Sequence, residues 1–261
     1  MISKSQIKLV RSLEHKKHRQ AEGLFVAEGP KVVGDLLACH FRPLLIFATS
    51  GCDRWEVRGE RSDALPIQIV TDDELRRLSF LQHPQQVLAI MELPKGQNNP
   101  PTPHLSPLTS HPSPLSLALD GVQDPGNLGT IIRVADWYGI DTIYCSPDTA
   151  DAWSPKVVQA TMGSIARVHI IYTDLEKLLR EASVPVYGTV LDGENIYRQQ
   201  LSANGIIVMG NEGNGISLPI RQLLTRRLLI PQMRPGAESL NVAIATAIVC
   251  SEFRRQTFIG G

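Results

Sequence analysis

The chain reads as an α/β protein in two parts, a mostly parallel C-terminal sheet preceded by a small α/β domain, and three observations lead there. Short apolar runs alternate with helix-period segments on both sides of a proline-rich stretch. The runs after that stretch are apolar throughout, the pattern of parallel strands covered on both faces. Turns rich in Gly and Asn follow several of these runs, and the carboxyl ends of parallel strands are where such sheets bind ligands.

The break is "PKGQNNPPTPHLSPLTSHPSPL", residues 94–115, whose repeated Pro can build neither a helix nor a ladder and should run extended. It separates residues 1–93 from residues 116–261. In the first part, residues 5–20 suggest one polar helix with Ile7, Leu9, Val10 and Leu13 on its apolar side. "GLFVAEG" is a strand, and Pro30 suits the first turn of the helix after it, where a missing N–H costs nothing. "PLLIFAT" and "IQIV" read as buried strands, Thr71 and Glu74 as a capping box, and "QQVLAIMEL" as a closing strand. In the second part the strands are "SLALDGV", "DTIYCS", "RVHIIY", "PVYGTVL", "GIIVMG" and "RLLIPQ". Ser154 and Pro155 open a helix between the second and third of these.

Composition narrows the function. Of 261 residues, 43% are apolar and 20% charged, ordinary for a soluble protein, and the formal net charge is zero, so any polyanion must be met by a local patch. Four cysteines, Cys39, Cys52, Cys145 and Cys250, lack the close spacing of a disulfide framework or zinc site. No charged-then-apolar leader opens the chain, and no apolar run approaches the roughly 18 residues of a membrane span. A soluble, cytoplasmic protein without membrane contact is expected.

Three segments carry the chemistry. In "DGVQDPGNLGTIIRVADWYG", residues 120–139, Gly126 and Gly129 read as a loop with free N–H groups, Asn127 as a helix cap, and Arg133 as a guanidinium in an apolar helix. Taken alone, Arg133 fits a side chain reaching a surface carboxylate as well as one held against phosphate or a developing oxyanion. In "VMGNEGNGIS", residues 208–217, a strand through Met209 meets Gly210, Asn211, Glu212, Gly213 and Gly215. There is no G-K-[ST] and no G-x-G-x-x-G, which disfavours an ordinary nucleotide phosphate. A plain strand-to-helix turn is one reading; three glycines are more than a turn requires, and the surplus suits a loop closing on a flat ligand through its main chain. In the third, Ile230 and Pro231 end a strand and a helix starts near Glu238, apolar on every side from Leu240 to Val249 and so expected to be buried all round, a second subunit included. Within it Asn241 needs hydrogen bonds; Ser239 capping the helix and Asn241 bonding a nearby loop is the plainer alternative.

Together the three segments resemble the signature motifs of the SpoU (TrmH-like) family of RNA 2′-O-ribose methyltransferases, in the SPOUT superfamily. Asn127, Gly129 and Arg133 match N-x-G-x-x-x-R, residues 210–215 match G-N-E-G-x-G, and Ile230, Pro231 and Ser239 to Val242 match the third motif. Residues 19–37 also resemble the substrate-binding domain that often precedes this catalytic domain. The resemblance implies a trefoil knot, a homodimer, S-adenosylmethionine as cofactor and methyl transfer to a ribose 2′-hydroxyl of RNA, ribosomal rather than transfer. It implies catalytic roles for Arg133, Asn127, Glu212, Ser239 and Asn241, and cofactor contacts at Gly210, Ile230 and Leu240, with Met209, Gly213 and Gly215 beside them. The chain departs from the usual third motif in its longer, Arg-bearing connection from Pro231 to Ser239 and in Ala243, where many members have Ser.

RNA contact is expected at the cations of "KSQIKLVRSLEHKKHRQ", above all Lys16, Lys17 and Arg19. His15 and His18 lack a third ligand nearby and read as surface residues, so no metal is expected. Asp148, Asp151 and Trp153 read as loop residues without a role. Two other functions stay in view: a non-catalytic RNA-binding module that kept the fold, and a dinucleotide-dependent enzyme, which the missing glycine fingerprint disfavours.

Overall fold

The computed structural model describes residues 1–52, 65–94, 115–234 and 239–259. The Pro-rich stretch lies outside the described residues apart from Pro94 and Leu115. The chain divides into two compact units, Met1–Lys95 with Asp151–Arg167, and Gly96–Ala150 with Val168–Gly261.

Helix α1 (Lys4–Ser12) opens on a reciprocal capping box between Ser3 and Gln6. The single helix expected over residues 5–20 is instead two, α1 and α2 (Lys16–Glu22). At the break Leu13 is fully buried, and Arg19 donates to the carbonyls of Leu13 and Glu14, both at 2.7 Å. Those are carbonyls that a continuous helix would have used itself. Strands β1 (Leu24–Glu28), β2 (Pro43–Ala48), β3 (Ile67–Ile69) and β4 (Val87–Glu92) form a sheet in the order β1-β4-β2-β3. Pro30 does open α3 (Pro30–Ala38), and Thr71 and Glu74 do form the capping box of α4 (Asp72–Leu78). The expectation that β2 and β3 are buried needs correction: Leu44 and Ile69 are exposed, and β3 is an edge strand with one open side.

The second sheet comprises β5 (Leu115–Asp120), β6 (Thr142–Cys145), β7 (His169–Tyr172), β8 (Val186–Asn195), β9 (Gly205–Gly210) and β10 (Arg226–Leu229). These are the six strands the sequence predicts. Their order is β10-β8-β9-β5-β6-β7, and every pairing is parallel. Helices α5 (Pro125–Trp137), α6 (Pro155–Ala160), α7 (Leu175–Arg180), α8 (Leu218–Arg221) and α9 (Val242–Ile259) complete the chain. One face of the sheet buries Ala118, Val186, Ile206 and Val208 against Leu175, Leu179, Ile216 and Ile220.

Helices α5 and α9 pack on each other. Arg254 of α9 donates to the carbonyls of Tyr138 (2.6 Å) and Gly139 (2.8 Å), a cation capping the C-terminal end of α5. Asn241 meets Asn127 at the opposite end, so the two helices run side by side in the same direction. The last helix starts at Val242, while Glu238 lies outside the described residues. Within the single chain, Ile244 on this helix is 52% exposed.

Residues 151–167 pack within the first compact unit. Trp153 lies against Phe25, with ring centroids 4.7 Å apart, and against Phe41. Asp151 pairs with Arg19, whose residue surface is only 2% exposed. Arg19 is therefore a buried structural residue and not the RNA contact expected of it, and Asp151 and Trp153 are packing residues rather than idle loop. Removing one member of a buried ion pair strands the other charge, at about 3–5 kcal/mol. Asp151→Ala should lower the stability of the first unit by about that amount in chemical denaturation; a loss under ~1 kcal/mol would contradict this role.

Candidate active site

Motif segments leave the sheet at the carboxyl ends of β5, β9 and β10. After β9, residues 211–215 close a tight turn: Asn211 and Gly215 exchange backbone hydrogen bonds at 2.9 and 3.0 Å, and Asn211 Oδ1 accepts from the amides of Gly213 (2.9 Å) and Asn214 (3.0 Å). A side chain at Gly210 would run into the returning backbone of Gly215 and Ile216, and Gly215 has φ +68°. Two of the glycines, Gly210 and Gly215, are thus required by the turn itself, and Gly213 is the one beyond the turn's own needs. Met209, just before the turn, is buried, with the Thr189 hydroxyl 3.7 Å from its sulfur.

Helix α5 begins earlier than the sequence suggests. Asp124 is its cap, accepting from Asn127 N at 2.8 Å, and Pro125 takes the first position. Asn127 is therefore not the cap, and Gly126 and Gly129 belong to the helix rather than to a loop. Just before the helix a carboxylate from the other segment takes two amides: Glu212 accepts from the backbone N–H groups of Gln123 and Asp124, both at 3.2 Å, and from Asn127 Nδ2 at 3.0 Å. Burial pushes the Glu212 carboxyl up, but the hydrogen bonds from Asn127 and from the backbone outweigh it and hold the group below its ordinary range. Glu212 is ionised at neutral pH.

Asn127 is bonded on its other side as well, since its Oδ1 accepts from Asn241 Nδ2 at 2.8 Å. Asn241 is exposed and lies at the start of α9 rather than within it, where its Oδ1 accepts from Ala243 N (2.9 Å) and Ile244 N (3.2 Å). Asn241 is thus the cap, the role assigned to Ser239 in the plainer sequence alternative, and its amide group does bond a residue of another segment. Glu212, Asn127 and Asn241 therefore form a continuous hydrogen-bonded row joining all three segments. Two turns along α5, Arg133 is exposed, and no carboxylate among the described residues pairs with it. Ser239 and Leu240 are exposed immediately before the cap, and Ile230 is half-buried.

Several supporting residues escaped the sequence reading. Asp120 Oδ2 accepts from Ser217 N at 2.7 Å, Asn211 Nδ2 donates to Gly121 O at 2.7 Å, and Ser146 Oγ accepts from Gly121 N at 2.8 Å. Asp124 before Pro125 was legible as a cap signal; the others become partners only through tertiary contact.

The donor set tests which ligand the segments suit. Two carboxylates, Asp124 and Glu212, occupy the amides at the N-terminus of α5, so a phosphate would meet negative charge there. A cationic sulfonium attached to an adenosine meets no such conflict, and half-buried Ile230 and exposed Leu240 supply apolar surface. These residues fit S-adenosylmethionine. In the first unit, Lys16 and Lys17 are exposed on α2.

Residues 114–251 match the SpoU rRNA Methylase family and residues 4–89 match the MRM3-like substrate binding domain. The 23S rRNA (guanosine(2553)-2'-O)-methyltransferase RlmP of Bacillus subtilis is 28% identical over 253 residues, covering 95% of this chain and 96% of that protein. A TrmH-family structure from Porphyromonas gingivalis shares 39% identity with a TM-score of 0.84, covering 98% of this chain and 99% of that one. An AdoMet-bound rRNA methyltransferase structure from Sinorhizobium meliloti shares 30% identity with a TM-score of 0.83, covering 98% and 97%. The match spans more than half the chain and includes all three motifs: this protein belongs to the SpoU rRNA methylase family.

Proposed function

We propose that this chain is an S-adenosylmethionine-dependent methyltransferase acting on a ribose 2′-hydroxyl of RNA, with ribosomal RNA as its substrate class. The observation that carries the proposal is the row Glu212–Asn127–Asn241, which brings the three motifs together. The family description and the ribosomal RNA enzymes among the relatives favour rRNA over tRNA. The non-catalytic alternative finds no support in a site whose motif residues are all present.

The donor supplies a methyl group on a leaving sulfonium. Main chain and side chains at Met209, Gly210, Gly213, Gly215, Ile230 and Leu240 would hold it. Arg133 would grip RNA phosphate and stabilise charge growing on the 2′-oxygen with its planar fork, since guanidinium keeps its proton and makes a poor base. Glu212 is a poor base too, with its oxygens already accepting hydrogen bonds and its acidity raised. Its part is to position α5, and Asn241 positions α9 in the same way. Ser239 would meet the ribose. Proton release falls to phosphate or water.

In this reading residues 1–93 bind RNA, with Lys16 and Lys17 contributing phosphate contacts, residues 116–261 carry the reaction, and 94–115 link them. The family's knot belongs to it as well, supported by the path from β9 out to β10 beyond β8 and back to α9 beside α5. A homodimer is also part of it, supported by the exposed apolar groups on α5 and α9: Trp137 is 83% exposed, one turn from Arg133, and Ile244 stands on the neighbouring helix. Among the described residues no helix is long and apolar enough to cross a membrane, and the four cysteines are free thiols; a cytoplasmic site of action belongs to the same reading.

Methyl transfer from labelled donor to ribosomal RNA, mapped at nucleotide resolution, tests the function; a protein that binds no donor and methylates no RNA overturns it. Arg133→Lys should cost about 10²-fold or more in turnover, as loss of oriented charge stabilisation does, and near-normal turnover would refute the fork role. Light scattering should give twice the 28.7 kDa chain mass, reduced to one by Trp137→Glu with Ile244→Glu. A monomeric parent protein would refute the dimer.

A further inference from the structure

Strand β8 and strand β10 pair out of step. Gly188 lies opposite Arg227 and Glu194 opposite Leu228, so residues 189–193 of β8 have no counterpart on β10 and leave the ladder as an excursion. The return is tight: a side chain at Gly193 would run into the backbone of Arg227 and Leu228. At its start Thr189 touches the sulfur of Met209, the residue before the Gly210 turn. Leu191 in the excursion is 81% exposed, more than packing within this unit explains.

One side chain fastens the excursion. Asp192 Oδ1 receives Arg221 Nη2 at 2.6 Å and Asp192 Oδ2 receives Arg227 Nη1 at 3.2 Å. Arg221 ends α8, the helix that follows the second motif, and Arg227 lies in β10, the strand that leads to the third. One carboxylate therefore ties three segments: the excursion and the two elements flanking the proposed donor contacts. Hydrogen bonding from Arg221 holds the Asp192 carboxyl below its ordinary range, so the clip is charged at neutral pH.

We propose that Asp192, with Arg221 and Arg227, is a positioning residue for the methyl donor, clipping residues 189–193, whose Thr189 meets Met209 just before the Gly210 turn. This rests on the donor-binding reading above. Asp192 touches no reacting atom, so it acts on donor affinity and leaves the chemical step alone. Because its partners are solvent-exposed, the effect is modest and weakens with salt.

The test compares the full chain with Asp192→Asn and Asp192→Glu. Calorimetric titration with S-adenosylmethionine should show affinity about three- to tenfold weaker for Asp192→Asn, largely restored in Asp192→Glu, with turnover at saturating donor within about twofold of the parent. Hydrogen exchange on the ligand-free protein should show faster exchange at residues 189–193 in Asp192→Asn. Unchanged exchange there, or unchanged affinity, overturns the clip while donor binding by the parent leaves the functional reading intact. A parent that binds no donor overturns that reading and the positioning role together.

Discussion

The Asn127 side chain is the constraint on which the site depends. Its amide has one donating and one accepting end, and each is committed to a different segment: Glu212 on one side, Asn241 on the other. These two bonds bring the segments after β5, β9 and β10 into one hydrogen-bonded row. Each partner is itself fixed, Glu212 by the backbone of Gln123 and Asp124, and Asn241 by the first turn of α9. Asn241 caps α9 and Asn127 lies in the first turn of α5, so the row joins the starts of two helices to the turn after β9. Networks of this kind hold a site more firmly than their separate bonds would suggest.

The charge arrangement follows from it. A helix N-terminus beside a glycine-rich turn is a ready anion site, yet here carboxylates fill the N-terminus of α5. The fold keeps the ligand position of a parallel sheet while reversing the sign of charge it favours. That accounts for the missing phosphate fingerprint in the sequence as a requirement of a cationic donor.

Much of this was legible beforehand, for identifiable reasons. The six strands of the second sheet were readable because buried parallel strands are apolar along their whole length, and local caps at Thr71 and Ser154 were readable because their partners lie three residues away. The site was legible as three motifs but not as a geometry. Asn127 looked like a cap although Asp124 and Pro125 hold the helix start, and nothing local showed that the turn itself needs Gly210, because Gly215 and Ile216 come against it only when the chain folds back. Arg19 looked like an RNA contact because its partner Asp151 is 132 positions away, and nothing local signals such a pairing. The same holds for Asp192, whose role depends on a register jump between two strands.

A double-mutant cycle between Asn127→Ala and Glu212→Gln, read through S-adenosylmethionine affinity of the intact chain, tests the central claim most directly. If the row aligns the site, the two changes share one interaction and should couple by about 1–2 kcal/mol, the double variant losing far less than the sum of the single ones. Effects that simply add, within roughly 0.3 kcal/mol, would mean that the segments are held in place by something else.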